Sequence, residues 1–192
     1  MSGADGVGLL VALAAGIGLA AASGFRVFVP LLGVALAMRL GQIDPTEGWA
    51  WLAEPVALGV LAVAVVAEVG AYLVPWLDNA LDTLATPAAV VAGTLLTALM
   101  LGDAPPVLQW VLAVVAGGGT AGVVQTGTVL ARATSLGTTG GAGNPLVSIG
   151  EAVLSAVFTV LAVVVPFLTV ALVIGAFLWW TRRRRTRAGA AA

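Results

Sequence analysis

Between Pro55 and Pro75 the chain carries one charged residue, Glu68, in a run otherwise made almost wholly of Ala, Val, Leu and Gly. Four further stretches are comparably apolar: Gly6 to Leu40, Leu84 to Gly102, Val107 to Ala131 and Leu146 to Trp180. A hydrocarbon layer of about 30 Å takes roughly 20 helical residues to cross, and these runs have that length. They lack period-2 alternation, which argues against a membrane β-barrel and for helices. Composition agrees. The 192 residues are 60% hydrophobic and 9% charged, with mean hydropathy +1.10, whereas a soluble domain carries about 25% charged residues. The expected fold is all-α: a polytopic transmembrane helical bundle of five to six spans. Residues 1–181 form a single transmembrane domain, and 182–192 form a basic cytoplasmic tail.

The first stretch holds 35 residues, about 52 Å as one straight helix, so it must break. Gly24 and Pro30 are where the backbone does so most easily, predicting elements near 7–24 and 27–40. The second of these is short for a span, and is tilted, shielded or re-entrant. In the last stretch, Pro166 predicts a kink. The N-terminal segment holds Asp5 and no Lys or Arg, unlike the basic start of a cleaved signal peptide, so retention is expected despite the small-residue run Ala20-Ala21-Ala22.

Arg182, Arg183, Arg184, Arg185 and Arg187 follow Trp179-Trp180. Juxtamembrane arginines stay cytoplasmic, which sets the C-terminus inside, and such a run also attracts anionic lipid headgroups. Trp49, Trp51, Trp76, Trp110, Trp179 and Trp180 all fall at predicted span ends, the interfacial positions that indoles favour. The expected partner is the lipid bilayer, with no nucleic acid at a net charge of −1. Small-residue pairs such as Gly16/Ala20 and Gly118/Gly122 permit close helix contacts and a homo-oligomer through Gly/Ala faces. A shift of 101 residues lays Ala12, Ala15, Gly16, Gly18 and Ala20 on Ala113, Ala116, Gly117, Gly119 and Ala121, the trace of an internal repeat.

Charges inside spans cost about 2.5 to 3.5 kcal/mol each on insertion scales, so they face a partner or a wet cavity. Arg26 is the one basic residue read as lying deep in an apolar run, and either Glu68 or Glu151 can pair with it. Two polar segments adjoin the spans. Asp78 and Asp82 lie four apart, on one face of a short interfacial helix, as interfacial carboxylates. The segment from Arg132 to Glu151 reads as a Gly-, Ser- and Thr-rich loop containing Asn144 and Ser148. Ser148 and Glu151 fit a capping box, or else the loop lines a cavity. With neither His nor Cys, the usual metal ligands and a Ser-His triad are absent. No enzyme, metal or cofactor is expected.

The segments Ala15 to Leu32, containing Ser23-Gly24-Phe25-Arg26-Val27-Phe28-Val29-Pro30, then Glu68 with Pro75, Asp78 and Asp82, then Gly143-Asn144-Pro145-Leu146-Val147-Ser148-Ile149-Gly150-Glu151, resemble a family of small bacterial membrane proteins, domain of unknown function 4126. This chain departs from the family pattern in having Tyr72-Leu73 where an Asp-Lys pair is common. The resemblance implies a bacterial cytoplasmic (inner) membrane location and no reaction. The functional expectation is a small-solute or ion transporter or channel whose pathway residues are Arg26, Glu68, Asn144, Ser148 and Glu151. The alternative is a non-catalytic membrane scaffold or assembly subunit.

Overall fold

Proline places most of the helix starts. A computed structural model describes residues 3–46, 48–71 and 75–189. It is 87% helical, with no strand among the described residues. In chain order the helices are α1 (Gly3–Phe25), α2 (Phe28–Arg39), α3 (Pro55–Ala71), α4 (Pro75–Met100), α5 (Pro106–Thr139), α6 (Asn144–Val164) and α7 (Pro166–Gly189). α3, α4, α5 and α7 each open on a proline, and α6 has Pro145 in its first turn. The missing N–H does no harm there, because the first helical amides have no partner in the helix.

An apolar core of Leu19, Val34, Leu52, Leu96 and Leu99 is joined inside the bundle by polar side chains, and large apolar side chains face outward. Ser23, Arg26, Gln125, Thr128, Arg132, Ser148, Glu151, Ser155 and Thr159 are buried, while Val56, Val60, Val63 and Val66 of α3 and Val153, Val157, Val160 and Val164 of α6 are exposed. Only an apolar surrounding makes that arrangement favourable. Gly6–Phe25, Thr83–Met100, Pro106–Thr139 and Asn144–Val164 are long and apolar enough to cross a membrane. The fifth and sixth spans of the sequence reading depend on the shorter apolar helices Phe28–Arg39, Pro55–Ala71 and Pro166–Trp179.

α1, α4 and α5 pack through missing side chains. The Thr97 hydroxyl donates to Gly16 O at 3.0 Å and to Gly93 O at 2.8 Å. A Cβ on Gly16 would lie 3.0 Å from Thr97 Cα, and one on Gly117 would lie 2.6 Å from Gly93 O. A Cβ on Gly93 would meet Ala121 Cβ at 2.6 Å and Ala20 Cβ at 3.2 Å. Gly16 and Gly117 thus close on Thr97, and Ala20 and Ala121 close on Gly93. These are the pairs related by the 101-residue shift, so the repeat places equivalent positions against the same two residues of α4. Within α5 the turn at Ala113–Gly118 is π-helical, and its wider backbone lies where Gly117 meets α4.

α6 orders the other helices. The Ser155 hydroxyl donates to Ala22 O at 2.9 Å, and a Cβ on Gly18 would meet Ala162 Cβ at 2.8 Å. α1 therefore runs antiparallel to α6. Gly33 of α2 abuts Thr159, so α2 climbs back along α6, and the chain reverses at Arg26-Val27. The expected break is there, and it makes a splayed hairpin. Pro166 separates α6 from α7 instead of kinking one helix. Val165 leaves the helical region at φ −140, ψ 67, as a residue before proline is pushed to do. The same hypothetical Cβ on Gly18 would lie 2.8 Å from Thr169 Cγ2, so α7 folds back beside α6.

Candidate functional site

The turn between α1 and α2 carries Arg26, which is buried with its side chain at 0% exposure. Its Nη2 donates to Ser148 O at 3.0 Å and to Ser148 Oγ at 2.6 Å, and lies 3.2 Å from Glu151 Oε2. Arg132 reaches the same carboxylate from α5. Its Nε donates to Glu151 Oε1 at 3.2 Å and its Nη2 to Oε2. One carboxylate is therefore held by two guanidinium groups, one of them bidentate, which is the geometry that makes arginine suit buried ion pairs. Helical periodicity supplies the register. Ser148, Glu151, Ser155 and Thr159 form one buried stripe on α6, and Gln125, Thr128 and Arg132 form another on α5.

Glu68 has a different task. Its Oε1 accepts the Val27 N–H at 2.8 Å and its Oε2 the Phe28 N–H at 3.1 Å. Val27, at the N-cap of α2, has no side-chain acceptor of its own. A carboxylate from α3 thus caps α2, satisfying two amides and complementing the positive end of the helix. It stands within electrostatic reach of both Arg26 and Arg132. Two arginines and two glutamates sum to zero charge. Replacing Glu68 by Ala is expected to destabilise the protein by about 1 kcal/mol, the usual worth of an N-cap. Hydrogen exchange at the Val27 and Phe28 amides should accelerate, and unchanged exchange there would show that the carboxylate does not hold them.

Several sequence expectations need correction here. The capping box is overturned: α6 begins at Asn144, so Ser148 and Glu151 lie inside it and bond to arginines. The loop starting at Arg132 is also overturned, because α5 continues to Thr139. Its hydroxyls turn inward to their own backbone: Thr134 donates to Leu130 O at 2.8 Å and Thr139 to Ser135 O at 2.7 Å. The turn itself is Gly140 to Gly143, with Gly140 at φ +62 and Gly141 at φ +90, conformations that glycine adopts without strain. Asn144 opens α6, its N–H donating to Gly141 O at 3.0 Å, and shares the face of Ser148. Tyr72 and Leu73 lie outside the described residues, as do the side chains of Asp78, Asp82, Trp76, Trp180, Arg183, Arg184, Arg185 and Arg187.

Sequence reasoning missed Arg132. The signal was the spacing Gln125, Thr128, Arg132, a polar stripe continuing an otherwise apolar helix, which only the full length of α5 makes visible. Glu151 also borders a cleft of about 930 Å³ walled by α1, α5, α6 and α7, with Phe25, Val124, Leu154, Phe158, Ile174 and Phe177 among its lining. Among the described residues, Glu151 is the single ionisable one lining it.

The model of one protein family, described as Domain of unknown function (DUF4126), matches residues 13–184. No curated protein and no solved structure matches the chain.

Proposed function

The chain belongs to the DUF4126 family, and from that premise we propose that it is a multi-pass protein of the bacterial cytoplasmic membrane that carries a small solute or ion past a polar intramembrane centre. Arg26, Arg132, Ser148 and Glu151 form that centre, with Glu68 and Asn144 beside it. The observation that carries this reading is the burial of two arginines and a glutamate in an apolar bundle, where well-packed apolar residues of similar volume would be as stable or more so. A fold has no need of such a cluster, whereas a pathway does. Two features support it. The N-terminal end of α2 opens at the cluster, and helix ends aimed at a polar site recur in transporters. A π-helical segment interrupts α5, and such segments are common at functional sites. The arginine run after Trp180 favours a cytoplasmic C-terminus. No chemistry is assigned to the site.

The test is flux into proteoliposomes across a panel of inorganic ions and small organic solutes. Wild type should exceed protein-free vesicles for at least one solute. Arg26→Gln and Glu151→Gln should reduce that flux at least about tenfold, the worth of one charge-assisted contact, with the protein still incorporated. Equal leak for wild type, both variants and empty vesicles sinks the reading.

A second reading is a membrane scaffold. It is favoured by the close Gly16–Thr97–Gly117 packing and by the closed contacts among Arg26, Ser148 and Glu151. It predicts a stoichiometric protein partner after mild detergent extraction, lost when the outward Gly/Ala faces are made bulky.

A further inference from the structure

Glu151 is the member of the buried ion cluster that reaches the cleft. It lines that cavity, whereas Arg26 and Arg132 do not. Both guanidinium groups converge on its carboxylate from the interior of the bundle. From the cleft side, the arginines are therefore reached past Glu151. The other carboxylate of the centre is committed elsewhere, since Glu68 accepts the Val27 and Phe28 N–H groups.

The charges decide which ions fit. A cation entering from the cleft meets two fixed guanidinium groups, and both Glu151 oxygens already accept hydrogen bonds from Arg132. Among the described residues, no three acidic or other metal-ligating side chains come together. An anion finds the reverse. Two guanidinium groups, whose planar donor pairs match carboxylates and other oxyanions, point at one position. We propose that Arg26 and Arg132 form a binding site for a small monovalent oxyanion of the short-chain carboxylate type, which Glu151 fills as a tethered stand-in. The position is carboxylate-sized because a carboxylate occupies it, and one negative charge restores what leaves when Glu151 withdraws toward the cleft. Tethering gives Glu151 an effective concentration that a free anion has to overcome, so the protein's own carboxylate controls entry to the site. The assignment rests on the transport reading and deepens it by naming the class of solute.

The experiment is titration of acetate into the purified full-length protein in detergent, read by calorimetry and by the denaturant-unfolding equilibrium. Glu151→Ala removes a group of the size and charge of acetate and keeps both arginines. It should bind acetate at least about tenfold more tightly than wild type. Saturating acetate should lower its unfolding constant at least about tenfold, with little change for wild type. Glu151→Gln is the second variant if Glu151→Ala does not fold, because its amide carries no charge and competes less. Arg26→Ala combined with Glu151→Ala should lose most of the gain, which separates the site from a general salt effect. Equal acetate affinity in wild type and both Glu151 variants overturns the assignment, as does a gain that persists without Arg26. An acetate gain confined to variants with both arginines supports the site even where no flux is measured. Flux of a cation with no acetate gain leaves transport standing and overturns the anion assignment.

Discussion

Glu151→Ala should be the most damaging single substitution in the protein. It removes the one carboxylate held by both Arg26 and Arg132 and leaves two buried guanidinium groups without their common partner. Breaking a buried pair in this way typically costs about 3 to 5 kcal/mol. Chemical denaturation in a fixed detergent would register the loss. Glu151→Gln should retain part of the stability, since the amide keeps the volume and one acceptor. Changing Arg26, Arg132 and Glu151 together to Leu, with Glu68 to Gln, should recover most of it, because no charge of the cluster is then left uncompensated. A Glu151→Ala protein within about 0.5 kcal/mol of wild type would mean that water or another group already compensates both arginines.

Gly93→Ala comes next, and here two effects oppose each other. Alanine favours a helix over glycine by about 1 kcal/mol. The new methyl, however, would lie 2.6 Å from Ala121 Cβ, 3.1 Å from Gly117 O and 3.2 Å from Ala20 Cβ. Two of those neighbours are β-carbons fixed to helix backbones and the third is a backbone oxygen, so none can swing aside. Overpacking of this kind costs about 1 to 3 kcal/mol, and separating α1 and α5 from α4 puts the cost at the upper end, a net loss of about 2 kcal/mol. Gly119→Ala is the matched control. Nothing lies within 4 Å of its hypothetical Cβ, so only the helix preference remains, and this variant should gain up to about 1 kcal/mol. Opposite signs for two glycine-to-alanine changes in one detergent would confirm that contact geometry decides. A stabilised Gly93→Ala protein would disprove the close packing.

Much of this architecture was legible before any coordinates. Length and apolarity marked the spans, and the break after Phe25 followed from a stretch too long for one helix. The repeat was visible as well, though its meaning was not, because only packing shows Gly16 and Gly117 closing on the same threonine. Polar boundaries were read badly for one physical reason. Ser, Thr and Gly between Arg132 and Gly143 look like a loop, yet in an apolar surrounding their hydroxyls bond to the preceding turn and the helix continues. That misreading hid Arg132, and with it the second half of the ion cluster. Glu68 stood out as a charge inside an apolar run. Its actual role, capping a helix that starts inside the bundle, depends on a chain reversal that spacing alone does not reveal.

The account rests on Arg26 and Glu151 acting as one buried unit. A double-mutant cycle measures that directly: unfolding free energies of Arg26→Ala, Glu151→Ala and the double variant in the same detergent. Contacting charges in a shared network couple by about 0.5 to 3 kcal/mol, and this pair should fall near the top of that range, with the double variant much less damaged than the sum of the singles. Single effects that add to within about 0.3 kcal/mol would place the two side chains apart and contradict the polar centre itself.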